Sequence, residues 1–221
     1  MIREILQLLN RDNLQVQALS ECYEMLDMCH TMVSASVESL RHSDTAAVAV
    51  DIYEMDQKLN AFERGVRRKV MTHLSLGHTA DISSGLTLVS IVIDLERIGD
   101  YSKNIYDLAV NHPSRLDAGE HETALRDVEA SALEKFERSV TAFKTGDDEE
   151  ARKLMEEYKE DISRKTRAIE TILVTGETEL PVGDAVTVAL YVRFLKRIAA
   201  HSRNLISSLV NPFDRIGYPE E

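Results

Sequence analysis

The chain has 221 residues, of which 43% are hydrophobic and 29% are charged, as is usual for a soluble globular protein with a buried core. Its formal net charge of −12 disfavours a general nucleic-acid binder, because neutralising phosphates requires clustered Lys and Arg. The most apolar run, residues 85–93, is far shorter than the roughly 20 residues that span a bilayer, and Arg3 and Glu4 interrupt the N-terminus too early for a signal peptide. We therefore expect a soluble cytoplasmic protein with no nucleic-acid partner and no direct membrane insertion.

Apolar residues recur at helical spacing through most of the chain, and the few Pro and Gly residues fall mainly between the periodic stretches. A short amphipathic piece over residues 2–9 comes first. The three helices predicted for the first half, with the residue expected to cap each, are about 13–41 after Asp12, about 45–76 after Asp44 and about 82–111 after Asp81. Gly77 is expected to end the second helix.

Pro and Gly in residues 113–119 predict a linker to a second half of similar design. The three helices predicted there are about 120–144, about 148–174 after a stop and cap at Gly146 and Asp147, and about 184–210. Short turns allow each half to close as an antiparallel bundle. The predicted fold is all-α, an elongated tandem pair of antiparallel three-helix bundles, with domains at 1–112 and 120–221.

Cys22 and Cys29 lie two turns apart on the first predicted helix, which is too far for a disulfide. We interpret them as reduced core thiols, with metal binding beside His30 as the alternative. His30 lies on an apolar seam, so a hydrogen-bonded core histidine is favoured over a ligand. The seam consists of Val16, Leu19, Tyr23, Leu26, His30, Val33, Val37 and Leu40.

The third predicted helix carries two carboxylates four residues apart. Glu96 and Asp100 fall on the same helix face, about 5–6 Å from each other. Like charges at this spacing weaken an isolated helix by a few tenths of a kcal/mol, about 0.2–0.5. A divalent cation is one group that would compensate for this repulsion.

The same stretch returns one hundred residues later with the carboxylates changed. Residues 92–104 read VIDLERIGDYSKN, whereas residues 192–204 read VRFLKRIAAHSRN. The apolar positions match, but Lys196 and Ala200 stand where the first copy has its two acids. The pattern indicates a duplication whose second copy kept the packing residues and lost the acidic ones.

Two stretches together resemble the PhoU family of phosphate-transport regulators. One is DLERIGDYSKNI on the third helix. The other lies on the second helix and consists of Glu54, Asp56, Asn60 and Glu63. The resemblance implies two tandem three-helix bundles that cover nearly the whole chain, with the specific motifs confined to the first half.

The resemblance also implies a multinuclear metal cluster of iron, zinc, manganese or magnesium on the surface of the first bundle. The ligands that it implies are Asp56, Asn60, Glu63, Glu96 and Asp100. Oxygen donors from two adjacent helices, without paired His or Cys, suit a hard cation better than structural zinc. The alternative is a solvated acidic face on which Arg67 and Arg97 pair with the carboxylates.

No metal is expected in the second half. The positions equivalent to Asp56 and Asn60 are Lys159 and Ser163, so ligands are absent there as well as on the third helix. Two of the replacements are ammonium groups, which would repel a cation. Binding of an anion such as phosphate is an alternative to exposed mixed charge, and its candidate residues are Lys159, Lys196, Arg197 and His201.

What the resemblance implies about function is a regulatory adaptor rather than an enzyme. Such proteins couple a phosphate transporter ATPase to a phosphate sensor histidine kinase, and a homodimer is expected. A ferritin-type di-metal enzyme is disfavoured, because the chain contains no Glu-x-x-His sequence. The remaining alternatives are a helical scaffold without metal and the regulatory domain of another ion or phosphate transporter.

Overall fold

The computed structural model describes residues 13–220, with side chains for all of these except residues 79, 159 and 160. The predicted piece at 2–9 and the predicted cap Asp12 therefore lie outside the described residues. The helices are α1 (Leu14–His42), α2 (Ile52–Ser75), α3 (Ile82–Asn111), α4 (Glu122–Thr145), α5 (Asp148–Tyr158), α6 (Arg164–Thr175) and α7 (Val182–Val210).

The start of α1 is fixed by Asn13. The side-chain oxygen of Asn13 accepts hydrogen bonds from the backbone N–H groups of Gln15 and Val16, which have no partner within the helix. The predicted boundary moves by one residue and the helix is otherwise as expected.

The second helix begins seven residues later than predicted, because Asp51 and not Asp44 caps it. The Asp51 carboxylate accepts a hydrogen bond from the backbone N–H of Glu54. Asp44 instead accepts one from the backbone N–H of Arg115, at 3.4 Å. Tyr106 on α3 donates to the backbone carbonyl of Ala46, which holds the intervening segment in a non-helical path.

The fifth predicted helix is interrupted. One π-helical turn, Lys159–Ser163, joins α5 to α6, and the flanking residues Tyr158 and Arg164 keep right-handed helical dihedrals. The three pieces therefore form one rod with a local bulge. A π turn carries one residue more per turn than the surrounding helix, and periodicity alone does not reveal it.

Helices α1, α2 and α3 pack on one another, and α4 to α7 form the second antiparallel bundle. The predicted tandem pair of three-helix bundles is confirmed. One hydrophobic core runs through both, because α3 packs along α7. Within the predicted linker, Leu116 and Ala118 are buried in this core, so the connection is anchored to both halves.

His30 is not the core histidine that the apolar seam predicts. Its side chain is 46% exposed, and its ring stacks on that of Phe136 in the second bundle, with the centroids 6.3 Å apart. The interpretation failed because a seam identifies one helix face without showing which of its positions a neighbouring helix covers.

The buried guanidinium of Arg41 ties the end of α1 to the start of the second bundle. It donates to the Glu129 carboxylate at 2.9 Å, to the Glu122 carboxylate at 2.6 Å, and to the backbone carbonyl of Leu116. Partial burial opposes the charged form of Glu122, but hydrogen bonds from Arg41, the backbone N–H of Ala118 and Arg126 together outweigh it and lower the pKa of Glu122 to about 2. Glu122 is therefore ionised at neutral pH.

Replacing Arg41 should destabilise the whole molecule. In Arg41→Met the two half-buried carboxylates lose their main cationic partner, so we expect the free energy of unfolding to fall by about 3 kcal/mol, the lower end of the usual cost of breaking a buried pair. Urea denaturation followed by circular dichroism measures it. Arg126 also binds Glu122 at 2.6 Å but is 71% exposed, so the control Arg126→Ala should cost at most about 1 kcal/mol. Equal losses in both variants would contradict the role given to Arg41.

Candidate functional site

The candidate site begins with an unusually close approach of α2 and α3. A Cβ atom added to Gly99 on α3 would lie 2.2 Å from Cδ1 of Leu59 on α2, a distance that no side chain tolerates. Leu59 is fully buried, so it has little room to move away. The glycine is therefore what allows these two helices to pack so tightly, and it lies between Glu96 and Asp100 in the sequence.

Two of the predicted ligands face each other across this contact. The ammonium group of Lys103 lies 2.8 Å from Oδ1 of Asp56 on α2 and 3.2 Å from Oδ1 of Asp100 on α3. Partial burial works against its charge, but the hydrogen bonds to Asp56 and Asp100 outweigh this and raise the pKa of Lys103. Sequence analysis overlooked Lys103, although its position three residues after Asp100 places it on the same helix face.

Arginines pair with two further acids at this site, as the alternative of a solvated acidic face predicts. Arg67 lies 2.8 Å from Glu63 on α2. Arg97 lies 3.0 Å from Asp100 and 3.7 Å from Glu96 on α3. Both arginine side chains are about half exposed, so these ion pairs are individually weak in water.

Glu96 is the least neutralised carboxylate of the group. Burial is the main cause that raises its pKa, followed by repulsion from Asp100, while Arg97 lowers it; Glu63 and Asp56 add smaller repulsions. Four carboxylates from two helices therefore act on one another electrostatically. This shared field is what a bound cation would relieve.

Asn60 contributes an amide group to the site rather than a carboxylate. Its amide nitrogen donates to the backbone carbonyl of Asp56 at 2.9 Å, one turn earlier on α2. The amide therefore keeps its oxygen as a further donor atom for a cation. The four carboxylates and one amide oxygen are donor types that suit a hard cation. No three of these carboxylates have oxygens within 4.8 Å of one another, so holding one ion would require these side chains to move as well as Lys103.

The cysteines contribute nothing to this donor set. Burial raises the pKa of Cys22 to about 12, and it raises that of Cys29 further. Cys29 donates through its thiol to the backbone carbonyl of Leu95, beneath the acidic face. Both are free, buried and protonated, which agrees with the interpretation as reduced core thiols.

Comparison with known proteins identifies the architecture. The family model of the PhoU domain matches residues 22–109 and again residues 125–209. The chain belongs to the PhoU family. The double match agrees with the internal repeat, since each copy of the domain covers one three-helix bundle.

Two curated relatives are PhoU homologues, each named a phosphate-specific transport system accessory protein. The one from Pseudomonas aeruginosa is 23% identical over 195 residues, which cover 86% of this chain and 80% of the relative. The one from Pseudomonas putida is 26% identical over 195 residues, which cover 86% of this chain and 75% of the relative.

Two crystal structures share the fold. PhoU from Pseudomonas aeruginosa superposes with a TM-score of 0.78 at 21% identity, covering 88% of this chain and 94% of that one. The phosphate transport system regulatory protein PhoU from Streptococcus pneumoniae gives 0.66 at 16% identity, covering 89% and 95%. Over residues 13–220, every helix of the present chain is too short or too polar to cross a membrane.

The basic residues of the second PhoU repeat already have partners within the molecule. Lys196 lies 3.5 Å from Glu170. Arg197 donates to the Tyr101 hydroxyl at 3.1 Å and to Nε2 of His201 at 3.0 Å, and His201 contacts the buried Asp94 of α3 through Nδ1 at 2.7 Å. This arrangement supports mixed charge rather than a free anion site for these three residues; the Lys159 side chain lies outside the description.

The His201 contacts also indicate the tautomer of its ring. Arginine only donates hydrogen bonds, so Nε2 of His201 must accept from Arg197 and Nδ1 must carry the proton that is donated to Asp94. Asn204 donates to the same Asp94 oxygen at 3.0 Å. A fully bonded polar group thus lies in the interface between the two PhoU repeats.

One cluster at the turn between α2 and α3 was not predicted. Among the described residues, only His73, His78 and Asp81 form a group of three His, Cys, Asp or Glu whose ligand atoms all lie within 4.8 Å of one another. Asp81 was predicted as a capping residue, but its side chain makes no capping hydrogen bond to α3. Its Oδ2 instead lies 2.8 Å from Nε2 of His73.

The close approach of α2 and α3 yields a direct prediction. Gly99→Ala forces Leu59 out of its place, so the free energy of unfolding should fall by about 1–3 kcal/mol, the usual cost of overpacking a core. Thermal or urea denaturation measures the change.

Gly183 on α7 is the matched control, because an added Cβ meets nothing within 4 Å there. Gly183→Ala should leave stability unchanged or raise it by up to about 1 kcal/mol, since alanine favours the helix. If Gly99→Ala were equally harmless, Gly99 would not be what sets the distance between the two helices.

Proposed function

We propose that the chain is a non-enzymatic accessory protein of phosphate uptake, and that it binds a metal ion through the first PhoU repeat. The curated relatives are named accessory proteins of the phosphate-specific transport system, which supports the transport assignment. The observation that carries the metal assignment is the convergence of Asp56 and Asp100, from two helices, on the one ammonium group of Lys103.

Lys103 holds the position in which a cation is electrostatically favoured. A metal ion there would be bound by Asp56, Asn60, Glu63, Glu96 and Asp100, and the flexible Lys103 stem would carry the ammonium group towards solvent. Iron, manganese or magnesium fit oxygen donors best, and zinc is accommodated less well. The metal supplies positive charge and ties α2 to α3.

Elemental analysis tests the metal assignment on full-length protein that is purified without added metal. The wild type should carry tightly held metal, and Glu96→Ala/Asp100→Ala should lose it. Lys103→Met should increase the affinity for Mn²⁺ by about tenfold or more, because one competing positive charge is removed; a tenfold change corresponds to about 1.4 kcal/mol.

The matched control for the metal test is Glu24→Ala/Glu38→Ala. Both residues are exposed on α1, so this variant removes the same charge elsewhere. Titration with Mn²⁺, followed by its paramagnetic signal, measures affinity in all four proteins. If the wild type binds no more metal than Glu96→Ala/Asp100→Ala, the metal proposal is wrong. The ion-paired acidic face is then a structural feature without a bound metal.

The adaptor role that we propose is docking on cytoplasmic partners, the transporter ATPase and the sensor histidine kinase. Long rods such as α1, α3 and α7 present extended faces, and apolar side chains remain exposed on them. Three of these lie one turn apart on α7: Val182, Val186 and Leu190, with 81%, 54% and 38% exposure. We also expect a homodimer and a cytoplasmic location.

Binding to purified transporter ATPase and to the kinase cytoplasmic domain tests the adaptor role. Surface plasmon resonance should give saturable binding to at least one of them, and Val182→Asp/Val186→Asp should weaken it at least about tenfold. Gly183→Ala, on the same helix, is the control that should bind normally. No binding to either protein, with the fold intact by circular dichroism, contradicts the adaptor role but leaves the metal proposal standing.

A further inference from the structure

The turn between α2 and α3 brings together three metal-ligating side chains that the proposed function does not use. The ring of His73 stacks on that of His78 with centroids 4.2 Å apart and an angle of 8° between the planes. The carboxylate of Asp81 lies 2.8 Å from Nε2 of His73. The ligand atoms of all three lie within 4.8 Å of one another.

The chain path explains how residues eight positions apart reach one point. His73 lies in the last turn of α2, and Gly77 then adopts a φ of 95°, which reverses the chain in a way that residues with a side chain rarely allow. The short 3₁₀ turn Thr79–Asp81 follows and places Asp81 immediately before α3. The reversal therefore folds His78 and Asp81 back over His73.

The three side chains differ in exposure. His73 is buried, with 3% exposure, and its Nε2 is hydrogen-bonded to the Asp81 carboxylate at 2.8 Å. His78 is exposed. Two ligands are thus held in place by the fold, and the third can rotate its ring onto an ion.

Two imidazole nitrogens and one carboxylate oxygen form the donor set of a transition metal rather than of Mg²⁺ or Ca²⁺. Zinc lies about 2.0–2.2 Å from such ligands, so two ligand atoms on one ion are at most about 4.4 Å apart. The exposed ring of His78 would have to turn away from its stacked position on His73 for its nitrogen to meet this limit. The backbone on either side of these three residues is held in place by helices α2 and α3.

We propose that His73, His78 and Asp81 bind one divalent transition-metal ion, for which Zn²⁺ is the probe. Three protein ligands leave a coordination position open, so water or a further ligand completes the site. The ion clamps the end of α2 to the start of α3. It is separate from the carboxylate site, since the fifteen residues from Asp81 to Glu96 span about 22 Å of helix.

The test uses full-length protein stripped of metal and then titrated with Zn²⁺ against a chromophoric chelator. Wild type should bind Zn²⁺, and His78→Ala should lower the affinity at least about tenfold, the scale on which even changes around a metal's ligands act. His78 is exposed, so this variant should fold; Asp81→Asn is a second variant with little change in shape. His42→Ala, an exposed histidine at the end of α1, is the control.

Co²⁺ supplies a second readout, because its visible absorption is strong in a four-coordinate site that contains nitrogen ligands. The spectrum should appear in wild type and in Glu96→Ala/Asp100→Ala, and should vanish in His78→Ala. Persistence in the carboxylate variant separates this site from the one under the proposed function. Unchanged Zn²⁺ affinity in both His78→Ala and Asp81→Asn, or no Zn²⁺ binding by wild type, overturns the inference.

Discussion

The contact between Gly99 and Leu59 is the constraint on which the first repeat depends. It brings α3 against α2 so closely that acidic side chains of both helices share one electrostatic field. Burial is the main cause of the raised pKa of Glu96, and repulsion from Asp100 on the same helix and from Glu63 and Asp56 on α2 adds to it. Packing energy from the buried core offsets that repulsion, and Lys103 reduces it by bridging Asp56 and Asp100.

The second repeat shows what happens when this constraint is relaxed. Ala199, which is buried, stands where the first repeat has Gly99, so the equivalent helix carries a Cβ that forbids the same approach. The π turn Lys159–Ser163 spans the positions that correspond to Asp56 and Asn60. Both changes alter the spacing and direction of side chains at the place where ligands would have to meet. The loss of carboxylates and the change of backbone thus occur together.

The sequence predicted the elements whose signals are local. Helix α3 spans residues 82 to 111 as predicted, although the side chain of Asp81 makes no capping hydrogen bond. The predicted start of α2 was wrong because the composition of residues 45–50 is compatible with a helix. The hydrogen bond that keeps them non-helical is donated to Ala46 by Tyr106, which is distant in the sequence. Local propensity does not contain that information.

The residues of the candidate site also fall into those that the sequence predicts and those that only the packing of the helices reveals. The face shared by Glu96 and Asp100 follows from helical spacing, and the family pattern added Asp56, Asn60 and Glu63. The cluster around His73 was missed because it depends on how the chain turns from α2 into α3, whereas Lys103 lies three residues after Asp100 and could have been placed on the acidic face from helical spacing. The prediction that His30 is buried in the core was wrong, because burial depends on which neighbouring helix covers that face of α1.

The local charge balance at the acidic face would favour a cation of higher charge in place of the Lys103 ammonium group. Four carboxylates meet Lys103 and the two half-exposed arginines, Arg67 and Arg97, so one negative charge stays uncompensated near the desolvated Glu96. At the proposed site, a divalent ion in place of the ammonium group would bring this balance to zero. The gain is greatest at Glu96, because attraction between charges at about 4 Å grows from about 1 kcal/mol in bulk water to about 4 kcal/mol at the effective dielectric of a protein surface. The spacing set by Gly99 therefore supports the proposed cation site, whereas in the second repeat the matching basic residues Lys196 and Arg197 already contact Glu170, Tyr101 and His201.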